Sequence, residues 1–542
     1  MGYQLLWIEA LAFNLLLAAL VTACSARLAR RRWQILWPAL IVGLDLLNVV
    51  GGLVAYYAIV THRFAFGWSG YFISLQLLSL GGTAYLVWRG LRANESDERA
   101  PVARHWPRAR LGVATVIALG LSFMTFQDLD ATMKAEATAL RAEAGALAVS
   151  VAPQPVPDAD NAAVVYEKAF EALPEHSASD QLHKWLEAPE KFAGTAAFDY
   201  YLGRHRNAIR FFLLASAKPS CSFDRNYAQP SVAMLLPEVQ KLRHGARLLM
   251  MDARVRAGKG DLTGASRNIA ALRSMAGHVR SEPLLISLMV AVAIETMADR
   301  TLEHCLSVKT PVPGSALDAV GPSGAVLLRR DLARTLRMEE AMGLSAFADL
   351  SLGTLSLDSL AEMGADQLGN DATPAAWRVF FLRSELDSYR RELGRAQELA
   401  SYPYRKSRER WTKLQPSREE PMGIIVALLL PATRTMAEKT ARGEARARLA
   451  DLGVAVTRYR LKHGRYPAKL EDLLAEAPPL LAVDPFDGQP LRMTAADGGL
   501  VLYSVGPDGV DDGGREFDRK NRTGDITFCL GAAYEARRGA SR

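Results

Sequence analysis

Cysteine is scarce in this sequence, and so are the motifs that mark common classes of enzyme. The 542 residues include four cysteines and nine histidines, and neither type recurs at the spacing of a metal site. The irregular cysteine spacing excludes a disulfide framework, although one disulfide among Cys221, Cys305 and Cys529 stays open. The chain contains no HExxH, GxSxG or Walker sequence, and no GxGxxG in the context of a strand. We therefore expect a protein that is not an enzyme.

One short run, Glu303-His304-Cys305, contains residue types that serve in thiol chemistry. A single triplet of this kind on a helix usually places core and surface residues in succession. We do not interpret it as a catalytic site.

The composition also excludes a chain that is mainly disordered. Hydrophobic residues make up 49% of the sequence, and the length leaves room for about three or four domains. The net charge is +7, but residues 1–127 alone contain eleven arginines and five acidic residues. Nearly all of the positive excess therefore lies in the first quarter of the chain, and we expect no nucleic-acid partner.

The first 127 residues predict a four-span transmembrane domain. Long apolar stretches cover about 3–26, 35–60, 70–88 and 111–126, and about 20 apolar residues suffice to cross a bilayer. Arginines cluster after the first and third stretches, which the positive-inside rule assigns to the cytoplasmic side. We therefore predict an integral protein of the bacterial inner (cytoplasmic) membrane, with the lipid bilayer as a partner. Its N-terminus and large C-terminal region are predicted to lie outside the cytoplasm.

Asp45 lies about ten residues into the second apolar stretch, near the predicted midplane. A carboxylate at this depth can act as a proton or ion relay. It can also be a protonated group that hydrogen-bonds Asn14, Asn48 or Gln76 and holds the helices together. Because the stretches contain no lysine or arginine partner, we favour the packing interpretation.

The middle of the chain predicts a helical stalk and then an all-α extracytoplasmic domain. Residues 128–160 are an Ala- and Glu-rich run followed by a Pro-rich linker. Residues 161–401 contain several segments with apolar residues at helical spacing, and Asp261 is the predicted N-cap of one of them. Such a body can present a groove to a ligand, or it can act as a spacer, and the sequence favours neither.

The last 120 residues combine one long helix with short strands. After a polar linker at 402–421, the pattern predicts a helix from about 422 to 462, with Gly464 in the left-handed conformation that ends it. Residues 490–494 and 500–505 predict a β-hairpin, and we expect the helix to pack on that sheet.

This order of elements resembles the globular part of the type II secretion system major pseudopilin, and more broadly the pilin superfamily. The matching runs are IIVALLLPA, YRLKHGRYPAKLEDL, DPFDGQPL and LVLYSVGPDGVDDGG, within about 425–530. The resemblance implies a small α+β pseudopilin-like C-terminal domain at 422–530, followed by a tail at 531–542. The apolar start is only about ten residues and lies deep inside the chain, so the resemblance does not extend to a filament subunit.

In that family, the loop after the YS-x-G-x-D-G turn binds calcium through backbone carbonyls and aspartates. By position, the resemblance implies that Asp508 and Asp525 are ligands, and Asp511 and Asp512 add the carboxylate oxygens that calcium requires. We therefore expect calcium as a cofactor at these four residues. The alternative is that the aspartates only form solvated turns, in which Asp and Gly are common. Gly524, which replaces a second family aspartate, favours that alternative.

Two classes of function remain open from the sequence. The first is a non-enzymatic cell-envelope membrane protein that docks envelope or secretion-system proteins, as a scaffold component of a secretion or pilus-like system. The second is a membrane-anchored sensor or transport accessory protein that binds a ligand through its helical extracytoplasmic domain. We favour the first class, because the one family resemblance lies in the C-terminal domain.

Overall fold

The computed structural model of the protein describes most of the chain from residue 134 onwards. The described residues are 134–174, 180–231, 234, 236–308, 310–324, 328–355, 382–413, 424–473, 483–496, 498–518 and 520–540.

The chain forms two compact units. The first unit comprises Met1–Leu140, Phe347–Ser388 and Pro416–Ala427. The second unit comprises Arg141–Ala346, Tyr389–Gln415 and Leu428–Arg542. The second unit therefore contains both most of the helical body and the C-terminal strands.

The helical body consists of helices α1 to α11, which occupy stretches where apolar residues recur at helical spacing. Their bounds are α1 at residues 134–151, α2 Ala162–Glu171, α3 Asp180–Glu187, α4 Ala196–Arg204, α5 Arg206–Ser216, α6 Pro237–Gly258, α7 Leu262–Arg280, α8 Leu285–Ser307, α9 Gly314–Ala319, α10 Leu328–Leu352 and α11 Leu382–Ser401. A 3₁₀ turn at Pro189–Lys191 follows α3.

Helices α6 and α7 form a helical hairpin. Gly260 has a φ of 85° in the turn, a conformation that glycine adopts without strain. The carboxylate of Asp261 accepts a hydrogen bond from the backbone N–H of Gly264 at 2.9 Å, as an N-cap does. The prediction that Asp261 caps α7 is therefore confirmed.

Helix α8 lies in the core of the helical body, as its strongly apolar sequence predicts. Ile294, Ala298 and Leu302 are at most 1% exposed, and Ile269 and Leu272 of α7 in the same cluster are fully buried. Full burial of each large aliphatic side chain contributes about 1.5–3 kcal/mol. This burial stabilises α8 at the centre of the body.

The C-terminal region contains a long helix, α13 (Ile424–His463), and a three-stranded antiparallel sheet. The strands are β1 (Arg492–Ala496), β2 (Gly499–Ser504) and β3 (Ile526–Gly531), in that order, followed by helix α14 (Ala532–Ala540). The predicted hairpin is confirmed by the pairing of β1 with β2. The predicted end of the long helix is also confirmed, because Gly464 has a φ of 70°.

Helix α13 packs on one face of this sheet. Leu452 and Val456 of the helix share a buried cluster with Leu502 and Phe528 of the strands. Gly453 permits the close approach, since a Cβ there would lie 2.4 Å from the Phe528 ring. The expected packing of helix on sheet is therefore confirmed.

Two segments interpreted from sequence as connectors are packed structure. Within the predicted linker at 402–421, helix α12 (Tyr404–Lys413) buries Trp411. Ala148 of the predicted stalk lies in a buried cluster with Met338 of α10. In both segments a few apolar side chains find partners distant in sequence, which a polar or Ala-rich composition conceals.

The predicted membrane fold class is corrected by the structure, which is mostly helical with one small sheet. Across the described residues, no helix combines the length and apolar character needed to cross a membrane. Even α8 carries Glu295 after ten apolar or small residues. The same finding overturns the predicted integral localisation in the inner membrane. The four predicted spans and Asp45 lie outside the described residues.

Candidate functional site

The four predicted calcium ligands all lie in the loop that joins β2 to β3. The Asp525 carboxylate accepts hydrogen bonds from the backbone N–H groups of Gly514 at 2.7 Å and Asp512 at 3.4 Å. The Asp508 carboxylate accepts one from the N–H of Gly524 at 2.9 Å. Asp508 and Asp525 therefore fasten the two halves of the loop to each other.

Asp525 is fully buried at this position. Burial raises the pKa of its carboxyl above the ordinary value, while the hydrogen bonds from Gly514 and Asp512 oppose that shift. The carboxylate therefore depends on these two backbone donors to remain charged inside the protein.

Several aspartates of this region also form short turns with the backbone two residues on. Asp508 accepts from the N–H of Val510 at 3.2 Å, and Asp511 from that of Gly513 at 3.0 Å. This pattern is the Asx turn, in which the side chain stands in for a backbone acceptor. The arrangement supports the alternative that the aspartates shape the loop.

Arg492, at the start of β1, lies among three carboxylates. Its guanidinium is 2.7 Å from Asp487, 2.9 Å from Asp511 and 3.5 Å from Asp484. Partial burial lowers the pKa of Arg492, but the hydrogen bond to Asp487 and the charges of Asp511 and Asp484 outweigh it and raise the pKa overall. A side-chain cation therefore offsets part of the negative charge of these three carboxylates.

Asp484 belongs to the DPFDGQPL run and was not predicted as a site residue, yet it is as fully buried as Asp525, with 0% exposure. Its two oxygens accept from the N–H of Phe486 at 2.9 Å, the hydroxyl of Ser504 at 2.9 Å and the N–H of Val505 at 3.0 Å. The carboxylate joins the segment before β1 to the end of β2.

The expectation of a calcium site is corrected by this geometry. Within the part of the chain that the structure describes, no three His, Cys, Asp or Glu side chains are grouped to hold a metal ion. The carboxylates of Asp508, Asp511 and Asp525 accept backbone N–H groups or the Arg492 guanidinium instead. The donor set does not fit the six to eight oxygens that calcium requires, so no calcium chemistry follows from it.

A second group of polar contacts closes the outer edge of β3. The buried carboxylate of Glu303, on α8, accepts the backbone N–H of Cys529 at 2.6 Å and lies 2.7 Å from the guanidinium of Arg537. The hydroxyl of Ser307 donates to the carbonyl of Cys529 at 3.2 Å. Helix α8 thus takes the place of a fourth strand beside β3.

A buried cluster of charges joins the helical body to α13. The guanidinium of Arg273, on α7, is 3.1 Å from Asp451 of α13 and 3.3 Å from Asp299 of α8. Ser323 donates a hydrogen bond to Asp451 at 2.6 Å. Burial raises the pKa of Asp299 and of Glu295, while the charge of Arg273 opposes the rise in both carboxyls. These acids are held by arginine within the protein interior.

The cysteines outside residues 1–133 are free and buried. Burial raises the pKa of Cys221 and of Cys305 to about 12 and that of Cys529 to about 11. A thiol with such a pKa stays protonated near neutral pH and is a weak nucleophile. The disulfide left open by the sequence is not formed among these three residues, and Glu303-His304-Cys305 lies in the core.

The outer edge of β1 differs from that of β3. No described strand or bridge pairs with β1 on the side away from β2. Ala495 is exposed, and Met493, Thr494 and Ala496 are half-buried. Backbone groups of this edge are therefore placed to accept another strand.

The sequence did not predict the contacts of Glu303 with β3 or those of Arg273 with Asp299 and Asp451, although it contains one signal for them. Glu295, Asp299 and Glu303 recur every four residues along α8, so they share one face of a helix that is otherwise strongly apolar. Charges on the buried face of a core helix require partners. Those partners, Arg273 and Arg537, lie on other elements of the chain, and the sequence around them does not indicate the pairing.

No family model, curated protein or solved structure matches the chain. The predicted assignment to a secretion system, together with its pseudopilin-like and calcium-binding character, finds no support in these comparisons or in the site, and we withdraw it. The geometry of the described residues is the remaining basis for a function.

Proposed function

We propose that the protein is a non-enzymatic docking protein, whose helical body holds the C-terminal sheet so that β1 adds an extended segment of a partner protein. The observation behind this proposal is the difference between the two edges of the sheet. Helix α8 closes the β3 edge through Glu303 and Ser307. No described strand covers the outer side of β1.

Strand addition suits such an edge for a physical reason. Main-chain N–H and C=O groups of an added strand supply the affinity, and side chains of alternate residues supply the specificity. Proteins usually protect a free edge with lysine, proline or a bulge. The β1 sequence RMTAA has one charged residue, Arg492, at its first position, and that side chain binds Asp487 and Asp511.

The attachments around β1 favour a preformed edge. Arg492 is held by carboxylates at the start of the strand, and Asp484 links the preceding segment to Ser504 of β2. Leu502 and Phe528, on one face of the sheet, pack on α13. A preformed edge loses little conformational entropy when a partner strand binds.

The buried charges support a mechanical role. Asp299 and Asp451 lie against Arg273 and join three helices. Glu303 lies against Arg537 and the backbone of β3. In this proposal, the contacts of these carboxylates hold the C-terminal helix and sheet in a fixed position on the helical body.

A photo-crosslinking amino acid at Ala495 tests the proposal in the full-length protein, expressed in its source cells. We expect one discrete protein adduct from Ala495, and none from the matched position Val164, which is exposed on α2. Met493→Lys, which places a charge on β1, should abolish the adduct. Because Met493 packs partly against the core, circular dichroism has to show that the variant is folded.

An adduct of equal yield from Val164, or an Ala495 adduct that survives Met493→Lys, contradicts docking at β1. Absence of any adduct from Ala495 under conditions where the protein is folded and expressed does so as well.

A further inference from the structure

Helices α3 to α6 enclose an aromatic cluster far from the C-terminal sheet. The Tyr201 ring lies 5.2 Å from Trp185 and 4.3 Å from His205, measured between ring centroids. Trp185 also lies 5.5 Å from Phe198, and His205 lies 5.6 Å from His244 of α6. The cluster therefore brings together polar aromatic groups from α3, α4 and α6 and from His205, which lies between α4 and α5.

Three hydrogen-bond donors of this region are buried without an acceptor among the described residues. They are the indole N–H of Trp185, the hydroxyl of Tyr201 and the Nε–H of Arg243. Trp185 is only 7% exposed. Because indole and guanidinium groups only donate, the atom that satisfies them has to be an acceptor.

Two positive charges lie on α6 close to His244, a member of the cluster. Arg243 and Arg247 are four residues apart on α6 and so share a face of that helix. Neither forms an ion pair with any described carboxylate, whereas Arg254 on the same helix pairs with Glu190 at 3.0 Å. An arginine pair without a carboxylate is electrostatically incomplete.

The titration of these groups agrees with a positive, partly dehydrated environment. Burial lowers the pKa of Arg247, and the charge of Arg243 lowers it further. Burial raises the pKa of Tyr201 to about 12, while Arg247 opposes the rise. Arg247 therefore lies close enough to both Arg243 and the Tyr201 hydroxyl for their charges to interact.

We propose that Arg243, Arg247, Tyr201 and Trp185 form a binding site for an oxyanion, a carboxylate or phosphate group of a ligand. The oxyanion accepts the unpaired donors and neutralises the two arginines, which form short, strong hydrogen bonds with such groups. The aromatic rings beside it pack against the carbon skeleton of the ligand. This ligand site is independent of the docking edge at β1.

Isothermal titration calorimetry on the full-length protein tests the site. Sodium phosphate and sodium succinate are titrated separately in chloride buffer at constant ionic strength, so that the two arms distinguish phosphate from carboxylate. We expect saturable binding of at least one anion. Arg243→Gln and Arg247→Gln should weaken it by about tenfold or more, the loss typical of a hydrogen bond to a charged group.

Two further variants separate binding from folding. Tyr201→Phe keeps the ring and removes the hydroxyl, so it should weaken binding without lowering the melting temperature. Arg267→Gln removes the same charge from an exposed position on α7 and should leave the affinity unchanged. In chloride alone, Arg247→Gln should melt at a higher temperature than the wild type, because the repulsion from Arg243 is removed.

The proposal is overturned if neither anion binds the wild-type protein. It is also overturned if Arg267→Gln weakens binding as much as Arg247→Gln does, since the effect is then one of net charge.

Discussion

The guanidinium of Arg273 lies 3.1 Å from the carboxylate of Asp451, and this pair links α7 of the helical body to the long helix α13. Arg273 is also 3.3 Å from Asp299 of α8. One side chain therefore joins three helices, two of them from the body and one from the C-terminal region.

Replacing Arg273 with leucine should destabilise the protein strongly. The substitution leaves the buried Asp299 and the half-buried Asp451 without their cation, and breaking a buried charge pair in this way costs about 3–5 kcal/mol. Urea denaturation of the full chain measures the free energy of unfolding. Arg256→Leu is the matched control, because its ion pairs with Asp252 and Asp261 are partly exposed and are worth about 0–1 kcal/mol. Equal losses in the two variants would contradict the role of Arg273.

Glu339 should make stability fall as the pH rises. Burial raises the pKa of its carboxyl from 4.5 to about 7, while the N–H of Leu285 opposes the shift. The folded state therefore holds the proton more tightly than the unfolded state does. The associated stability is complete below pH 4.5 and is lost as the pH rises to about 7, a loss of about 3 kcal/mol.

Glu339→Gln removes this titration, so the variant should be more stable than the wild type at pH 8 and close to it at pH 4.5. Thermal denaturation at a series of pH values measures the difference. A variant that loses as much stability as the wild type between pH 4.5 and 7 would exclude Glu339 as the source.

Glu303→Ala should open the β3 edge locally. The substitution leaves the buried N–H of Cys529 without its acceptor and removes one partner of Arg537, at a cost of about 1–3 kcal/mol. Relative to the wild type, hydrogen–deuterium exchange should become faster in Ile526–Gly531, with a smaller change in Gly499–Ser504. Glu398→Ala, which removes an exposed pair with Arg410, serves as the control and should leave exchange in β3 unchanged.

Asp525→Ala should destabilise the loop between β2 and β3 by about 2 kcal/mol or more, since two backbone N–H groups lose their acceptor. Asp518→Ala removes an exposed turn acceptor and should cost less than about 1 kcal/mol. Differential scanning calorimetry of the full chain compares the variants.

The same calorimetry should give one melting temperature for the wild type in calcium and in chelator, because the carboxylates of Asp508 and Asp525 already bind backbone donors. A higher melting temperature in calcium would restore the metal interpretation.

Local features of this fold were predictable from sequence, because each depends on a few neighbouring residues. Asp261 caps α7 through the N–H three residues on, and Gly464 ends α13 in the left-handed conformation. The β1–β2 hairpin follows from alternating patterns around a glycine-containing turn. Such signals require no knowledge of distant partners.

The candidate site was less predictable for the opposite reason. The four aspartates do lie in one loop, but composition alone does not distinguish a calcium ligand from an acceptor of backbone N–H groups. Arg492, which neutralises Asp511, lies outside the loop that suggested the site. Arg273 and Asp451 belong to two helices, and the spacing of apolar residues in one helix is independent of that in the other. The contact between them therefore cannot be predicted from these patterns.

The closure of β3 by Glu303 also bears on how the chain is made. The acceptor and its N–H partner at Cys529 are separated by 226 residues. At a synthesis rate of about 5–20 residues per second, Glu303 is made roughly 10–45 seconds before that partner. During this interval Glu303 lacks both the N–H of Cys529 and the guanidinium of Arg537, because neither has yet been made. The body can therefore reach its final packing only late in translation, so a ribosome that stalls before β3 leaves α8 exposed to chaperones and proteases.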